Sequence, residues 1–307
     1  MCLNRAVIRA LSCAVTVIAG AACGPDAMQP TDPGWMAAIA DSTSLAGLSI
    51  PGTHESAALY EPVPGTAKAQ NLTLAAQFDA GIRYVDIRCR HLDDAFQIYH
   101  GPVSEQLSFD DVIGYAQAFL AAHPTETIIM SIKEESAPSG DTRTFAETFD
   151  TYVAKNPSLW RLDATIPTLG EARGKIQLLR RFNAMTTTGL DASRWADDAT
   201  FTLTSTNTTL RVQDQYKVSD DAAKFDAITA LLAEARTPAS NTLYLDYTSG
   251  YQSHSGLPNI PSVSDTINID LDAYLADPAN AHAHLGVLAM DLVAESRITA
   301  VYATNTP

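Results

Sequence analysis

Two strand-like runs, RYVDIRC at residues 83–89 and AFQIYH at residues 95–100, decide how this chain can fold. Each is short, and each mixes apolar with polar residues at a period of two. In the first, Asp86 and Arg88 fall on one face, with Val85, Ile87 and Cys89 on the other. Residues 90–94 between the runs are too few for a crossover helix. Any barrel containing both runs as parallel neighbours is therefore irregular, or the two runs pair in some other way.

Working outward, six more runs have strand character: LAGLSI (45–50), ETIIMSIK (126–133), KIQLLRRF (175–182), LRVQDQY (210–216), TLYLDYT (242–248) and LGVLAMDL (285–292). Helical patterns lie between many of them. In SFDDVIGYAQAFLAAH (108–123) the apolar positions repeat at i, i+3, i+4, with Ser108 as a natural N-cap and Pro124 closing the segment. TRTFAETFDTYVAK (142–155) and DDAAKFDAITALLAEA (220–235) are striped likewise. Eight strand candidates alternating with helices predict an α/β protein, an irregular (α/β)8 TIM-type barrel forming a single domain over residues 41–307. An open doubly wound sheet fits less well, because no strand leads into a glycine-rich phosphate loop.

The composition fits a substantial core: of 307 residues, 46% are hydrophobic and 18% charged. A formal net charge of −15 excludes a broad basic surface for nucleic acid and argues against polybasic adsorption to anionic lipid. Residues 1–22 read as a signal peptide, with Arg5 and Arg9 before a short apolar stretch. Its removal would take the formal charge to −17. Cys23 after Gly-Ala-Ala resembles a bacterial lipoprotein cleavage site, although Gly20 stands where leucine is usual; ordinary cleavage near Ala22 is the alternative. Residues 23–40, with three prolines in GPDAMQPTDPG, are expected to be a lipidated cysteine and a flexible tether. Export, either anchored through Cys23 or released, is the expected localisation. Cys89 would be the only remaining thiol, which leaves no intramolecular disulfide. Nothing signals an oligomer, and a monomer is expected.

The polar residues gather at the strand ends. His54 and Glu55 follow the Pro-Gly of SIPGTHES (49–56), read as a turn that ends the first strand. Asp86 and Arg88 lie on the second strand, His100 ends the third and Lys133 the fourth. Arg180 and Arg181 end the fifth, Asp214 and Tyr216 the sixth; Asp246 and Tyr247 lie near the end of the seventh and Asp291 near the end of the eighth. In a barrel these groups converge on the C-terminal rim. Two histidines can divide general base and general acid work, carboxylates can orient an imidazole, and an arginine fork suits phosphate oxygens. Lys, Asp and Tyr add donors and acceptors for sugar hydroxyls. Together they describe metal-free cleavage of a phosphodiester. His91 and His254 look like exposed loop residues. His282 and His284 lack the carboxylate or cysteine partners of a metal site.

In order, SIPGTHES, GIRYVDIRCR, YHGP, IIMSIKEE, KIQLLRRF and VQDQY resemble the catalytic domain of bacterial phosphatidylinositol-specific phospholipases C, from about Leu45 to Asp291. The resemblance implies an irregular (α/β)8 barrel that cleaves phosphatidylinositol in a membrane surface to diacylglycerol and inositol 1,2-cyclic phosphate. It implies His54 as general base with Asp291 as its orienting carboxylate. His100 would be the general acid, and Arg88 the phosphate-stabilising cation with Asp86 beside it. Lys133, Arg181, Asp214 and Tyr216 match inositol-contacting positions. Arg88 stands where calcium-dependent relatives are expected to carry an acidic ligand, so neither a metal nor another cofactor is expected. Glu55 departs from the family, whose bacterial members usually have Asp there. Another inositol phosphodiester or phospholipid as substrate, or a catalytically silent surface lipid-binding protein, are the alternative readings.

Overall fold

The computed structural model describes residues 31–306 apart from positions 187 and 240. The expected signal peptide and Cys23 lie outside the described residues. The expected tether does not extend to residue 40. Trp35–Ala38 form a turn of 3-10 helix, with Trp35 and Met36 buried in the main core. Trp35 stacks on Tyr302 at 5.4 Å and donates its indole N–H to Gly81 O.

The first strand, β1 (Ile50–Thr53), starts where the sequence led us to expect it to end. Residues 45–47 are a 3-10 turn capped by Ser44, and Pro51-Gly52 lie inside the strand. The Ile50 N–H points to Gly286 O, so by alternation the missing N–H of Pro51 faces the other neighbour, β2, where pairing begins only at Gly52. Gly52 is required by close packing, because a Cβ there would meet Tyr84 Cβ at 2.8 Å. Helix α1 (Leu74–Ala80), capped by Thr73, leads into β2 (Tyr84–Leu92).

The two deciding runs pair otherwise than as barrel neighbours. β3 (Ala95–His100) folds back antiparallel on the far end of β2, and β4 (Val103–Ser108) folds back on β3. The turn between β2 and β3 has Asp93 and Asp94 at positive φ, which short carboxylate side chains tolerate. His91 is therefore not an exposed loop residue; it is a buried β2 residue between Phe96 and Phe145.

Helix α2 (Phe109–Ala122) has a reciprocal Ser108–Asp111 capping box and buries Phe109, Val112, Ala116, Phe119 and Leu120. After β5 (Ile128–Ser139), α3 (Phe145–Lys155) repeats the device with Thr144 and Glu147. Then follow β6 (Trp160–Arg161), α4 (Leu169–Ala172), β7 (Ile176–Arg181), β8 (Leu190–Asp191) and β9 (Ala199–Thr204). The chain ends with β10 (Thr209–Asp214), α5 (Asp221–Ala235), β11 (Thr242–Tyr247), a hairpin of β12 (Gln252–His254) and β13 (Leu257–Asn259), α6 (Pro261–Ala276), β14 (Val287–Met290) and α7 (Glu295–Ala303).

The parallel staves run β7-β5-β2-β1-β14-β11-β10, which brings the last strand beside the first: Thr53 pairs with Met290. Two short strands, β6 and β8, continue one edge beside β7, and antiparallel β9 covers β10 at the other. Among the described residues no ladder joins these two edges. The fold is thus an irregular TIM-type barrel in one domain, and the run at 95–100 is not one of its staves. Alternation puts Tyr84, Ile129 and Leu179 on the inward face of the staves and Ile87, Met130 and Leu178 on the outward face, and both sets belong to one buried core.

Candidate active site

The C-terminal ends of the staves surround a cleft of about 500 Å³. Of the strand-end residues above, His54, Glu55, Arg88, His100, Lys133, Arg181, Asp214, Tyr216 and Asp291 line it, and Asp86 is buried beneath, bonded to two of the lining arginines. Strand register builds half of this wall. Arg88 of β2 is level with Lys133 of β5, which is level with Arg181 of β7, so three cations form one row facing inward. One pleat below, Asp86 is level with Ser131, whose hydroxyl donates to Asp86 Oδ1 at 3.1 Å.

Asp86 is the anchor of that wall. Its Oδ2 accepts from Arg88 Nε and Nη2 at 3.2 and 3.1 Å, and Arg181 Nη1 lies 3.4 Å from Oδ1. Burial would raise the carboxyl's pKa, yet Arg88 and then Arg181 hold it well below the usual carboxylate range. Arg88 also lies against Glu55 Oε1, and its Nη1 is 3.7 Å from Glu135 Oε1. A guanidinium ringed by three carboxylates stays charged and is fixed in direction.

His54 follows β1 and meets Asp291, which follows β14, at 2.9 Å between Nδ1 and Oδ1. The two lie at the ends of paired strands, and the Gln70 amide donates to both His54 O and Met290 O, tying those ends together. Burial opposes protonation of the imidazole, but Asp291 outweighs it, and the pKa lies above the ordinary histidine value. With its Nδ1 proton held by the carboxylate, neutral His54 presents Nε2 as a base.

His100 ends β3. Its Nδ1 donates to Ala67 O at 2.7 Å, and its Nε2 lies 3.6 Å from Glu55 Oε1. Glu55, at φ +43° and only 3% exposed, thus touches both the cation and the second histidine. Burial raises its carboxyl pKa despite Arg88 and His100. Its longer side chain still reaches both groups.

The opposite wall is polar and aromatic. Trp195 donates its indole N–H to Asp214 Oδ2 at 2.8 Å, and the Arg181 guanidinium lies 3.8 Å over the indole ring. The Tyr216 hydroxyl donates to Asp197 at 2.6 Å. Arg180 points away, to Asp191 and Phe182 O, so Arg181 is the arginine of this pair that faces the cleft. Asp246 also turns away, accepting from the Gln213 amide, whose own oxygen accepts from Lys224 Nζ.

Sequence reasoning missed Glu135, which accepts from Lys133 Nζ at 2.6 Å and from Gly101 N–H. The expected strand stopped at Lys133, while β5 runs on and alternation puts Glu135 on the same face. The Ala67 carbonyl, a main-chain group, carries no sequence signal at all. Thr66 of the loop after β1 and Pro258 of the β12–β13 hairpin line the cleft, and near them in sequence Tyr60, Val63 and Leu257 are 46%, 46% and 51% exposed. The two segments meet where Ile260 N–H donates to Gly65 O. Among the described residues the sole His/Asp/Glu grouping with metal-ligand spacing is His91, Asp94 and Asp141, outside the cleft. Its carboxylates already accept from loop donors, including Asp94 N, Ser139 N, Thr142 N and Arg143 N.

Residues 50–182 match the family model for phosphatidylinositol-specific phospholipase C, X domain. A 1-phosphatidylinositol phosphodiesterase of Staphylococcus aureus is 32% identical over 87% of this chain and 90% of its own length. One of Listeria monocytogenes is 34% identical over 70% of this chain and 67% of its own. A solved structure of the S. aureus phosphatidylinositol-specific phospholipase C, described for modulation of its membrane binding, superposes with a TM-score of 0.81 at 28% identity, covering 92% of this chain and 100% of that one. An ordered set of strand-end residues, one barrel and near full-length relatives agree, and the chain belongs to the phosphatidylinositol-specific phospholipase C family.

Proposed function

We propose that this protein cleaves phosphatidylinositol to diacylglycerol and inositol 1,2-cyclic phosphate without a metal ion. The observation that carries the reading is that His54 and His100 line one cleft with Arg88, and each has a different Nδ1 partner: a carboxylate for His54, a carbonyl for His100. A carboxylate stabilises the imidazolium that a base becomes, whereas a neutral carbonyl orients an acid without holding its proton back.

In the forward step His54 Nε2 takes the proton of the inositol 2-hydroxyl, whose oxygen attacks phosphorus. Arg88 stabilises the charge that builds on the phosphoryl oxygens. The bond to the diacylglycerol oxygen breaks, and His100 Nε2 gives that oxygen a proton. Protonated His54 and neutral His100 then exchange roles if water opens the cyclic phosphate. Lys133, Arg181, Asp214 and Tyr216 bind the inositol hydroxyls, with Glu55 and Asp86 holding Arg88. Arg88 supplies the positive charge that a Lewis acid would otherwise bring. The exposed Tyr60, Val63 and Leu257 form an apolar rim fit for contact with a lipid surface. The protein acts after export, as a monomer, anchored through Cys23 or released after signal cleavage.

The test is a phosphorus spectrum of products from phosphatidylinositol vesicles with excess chelator. A five-membered cyclic phosphate is expected, at a rate the chelator leaves unchanged. No release from phosphatidylinositol refutes the substrate, and loss of activity on chelation refutes metal independence.

A further inference from the structure

Glu105 is a carboxylate that the reaction above does not use. It sits on β4, is 1% exposed, and is not in the cleft wall. Its Oε2 accepts the backbone N–H of Leu59 at 2.8 Å and of Tyr60 at 3.0 Å, while Oε1 is buried with no partner among the described residues. Burying a carboxylate with one oxygen unpaired is costly, so its place here calls for a reason.

The loop it grips is the one that holds His100. Seven residues beyond Tyr60, Ala67 O accepts from His100 Nδ1 at 2.7 Å. The loop is closed at its base, where Ala69 N and Gln70 N both donate to Ala58 O, and Ala58 N donates to Glu55 O. Glu105 lies five residues after His100, across the turn that pairs His100 with Val103. One carboxylate thus fastens the loop carrying the acceptor for His100 to the hairpin carrying His100 itself.

We infer that Glu105 is a positioning residue for the general acid: by holding Leu59 and Tyr60 it keeps Ala67 O in place and so aims His100 Nε2 at the leaving oxygen. This rests on the proposed role of His100. With Nδ1–H fixed on a carbonyl, the ring cannot rotate its Nε2–H away from the cleft, and a misplacement of about 1 Å can cost ~100-fold in rate.

The experiment compares two water-soluble inositol phosphate esters, one with an alkyl alcohol as leaving group and one with 4-nitrophenol, so that lipid binding does not enter. The aryl oxide leaves without a proton; the alkoxide does not. Glu105→Ala is expected to lose about 10- to 100-fold in kcat on the alkyl ester and less than about 3-fold on the aryl ester, with KM little changed. Glu105→Gln keeps an acceptor for both amides and should recover most of the alkyl rate. If Glu105→Ala does not fold, Glu105→Asp, which withdraws the acceptor by one methylene, carries the same comparison. His100→Ala is the reference. If it slows both esters equally, His100 is not the acid and the proposed mechanism fails. If it is selective for the alkyl ester while the Glu105 variants slow both equally, or neither, the inference about Glu105 is overturned.

Discussion

Replacing Asp291 by Asn removes one charge from the His54 pair and almost no volume. The Nδ1–Oδ1 distance is 2.9 Å, and the side chains are 14% and 1% exposed, so solvent screens the pair little. With charge centres about 4 Å apart and an effective dielectric near 20, the attraction between imidazolium and carboxylate is about 4 kcal/mol. That attraction exists only once His54 has taken its proton, so it lowers the barrier rather than binding substrate. At about 1.4 kcal/mol per tenfold, kcat should fall ~1,000-fold. An Asn that turns its amide N–H₂ toward Nδ1 puts the proton on Nε2 and raises the loss toward ~10,000-fold. The pH profile gives a second reading. The base must be neutral in the free enzyme, and Asp291 holds its pKa above the ordinary value. The acid limb of kcat/KM in the parent protein should therefore lie above the ordinary histidine value and move to lower pH in Asp291→Asn. The pair also stabilises the fold most where His54 is protonated: in full below the unfolded histidine pKa, fading as pH rises through the raised folded value. The difference in Tm between the two proteins should accordingly be larger near pH ~5.5 than near pH ~8.5. A variant within about threefold of the parent in kcat, or one whose acid limb does not move, would refute the assignment of His54 as base and Asp291 as its partner.

Arg181→Lys keeps the charge but loses the planar fork that spans Asp86 and the Trp195 ring, 3.4 and 3.8 Å away. KM for a soluble inositol phosphate ester should rise about 10- to 100-fold with kcat nearly unchanged; an unchanged KM, or a loss confined to kcat, contradicts a role in headgroup binding. Cys23→Ser should move the exported protein from the membrane to the soluble fraction of the cells that make it, and a variant still sedimenting with membranes shows that Cys23 is not the anchor.

Much of the site was legible in the sequence because strand ends are legible. A run of alternating residues fixes which side chains share a face, so the alternation in RYVDIRC was enough to pair Asp86 with Arg88, and the Arg88–Lys133–Arg181 row only needed the strands to be parallel neighbours. The Ser108 N-cap likewise lies next to the helix it opens and forms as expected, and the structure adds the reciprocal bonds to Asp111 there and to Glu147 at Thr144. Local reading failed where a local rule was overridden by a neighbour. Pro51-Gly52 looks like a turn, but Tyr84 leaves room for nothing larger than Gly52, and β2 begins its ladder only there, so the dipeptide is part of the strand. His91 looks like a loop histidine, but β2 continues through the hairpin and buries it.

The sequence by itself determined the residue types, their faces and their order along the chain, because those follow from periodicities of a few residues. It could not determine that residue 54 and residue 291 would meet, that Glu55 would bridge Arg88 and His100, or that Glu105 would reach across to Leu59 and Tyr60. Those contacts depend on pairing the last stave against the first and on folding the 95–108 hairpin off the barrel. Such pairings are decided by burial of the whole core, which no stretch of a few residues encodes.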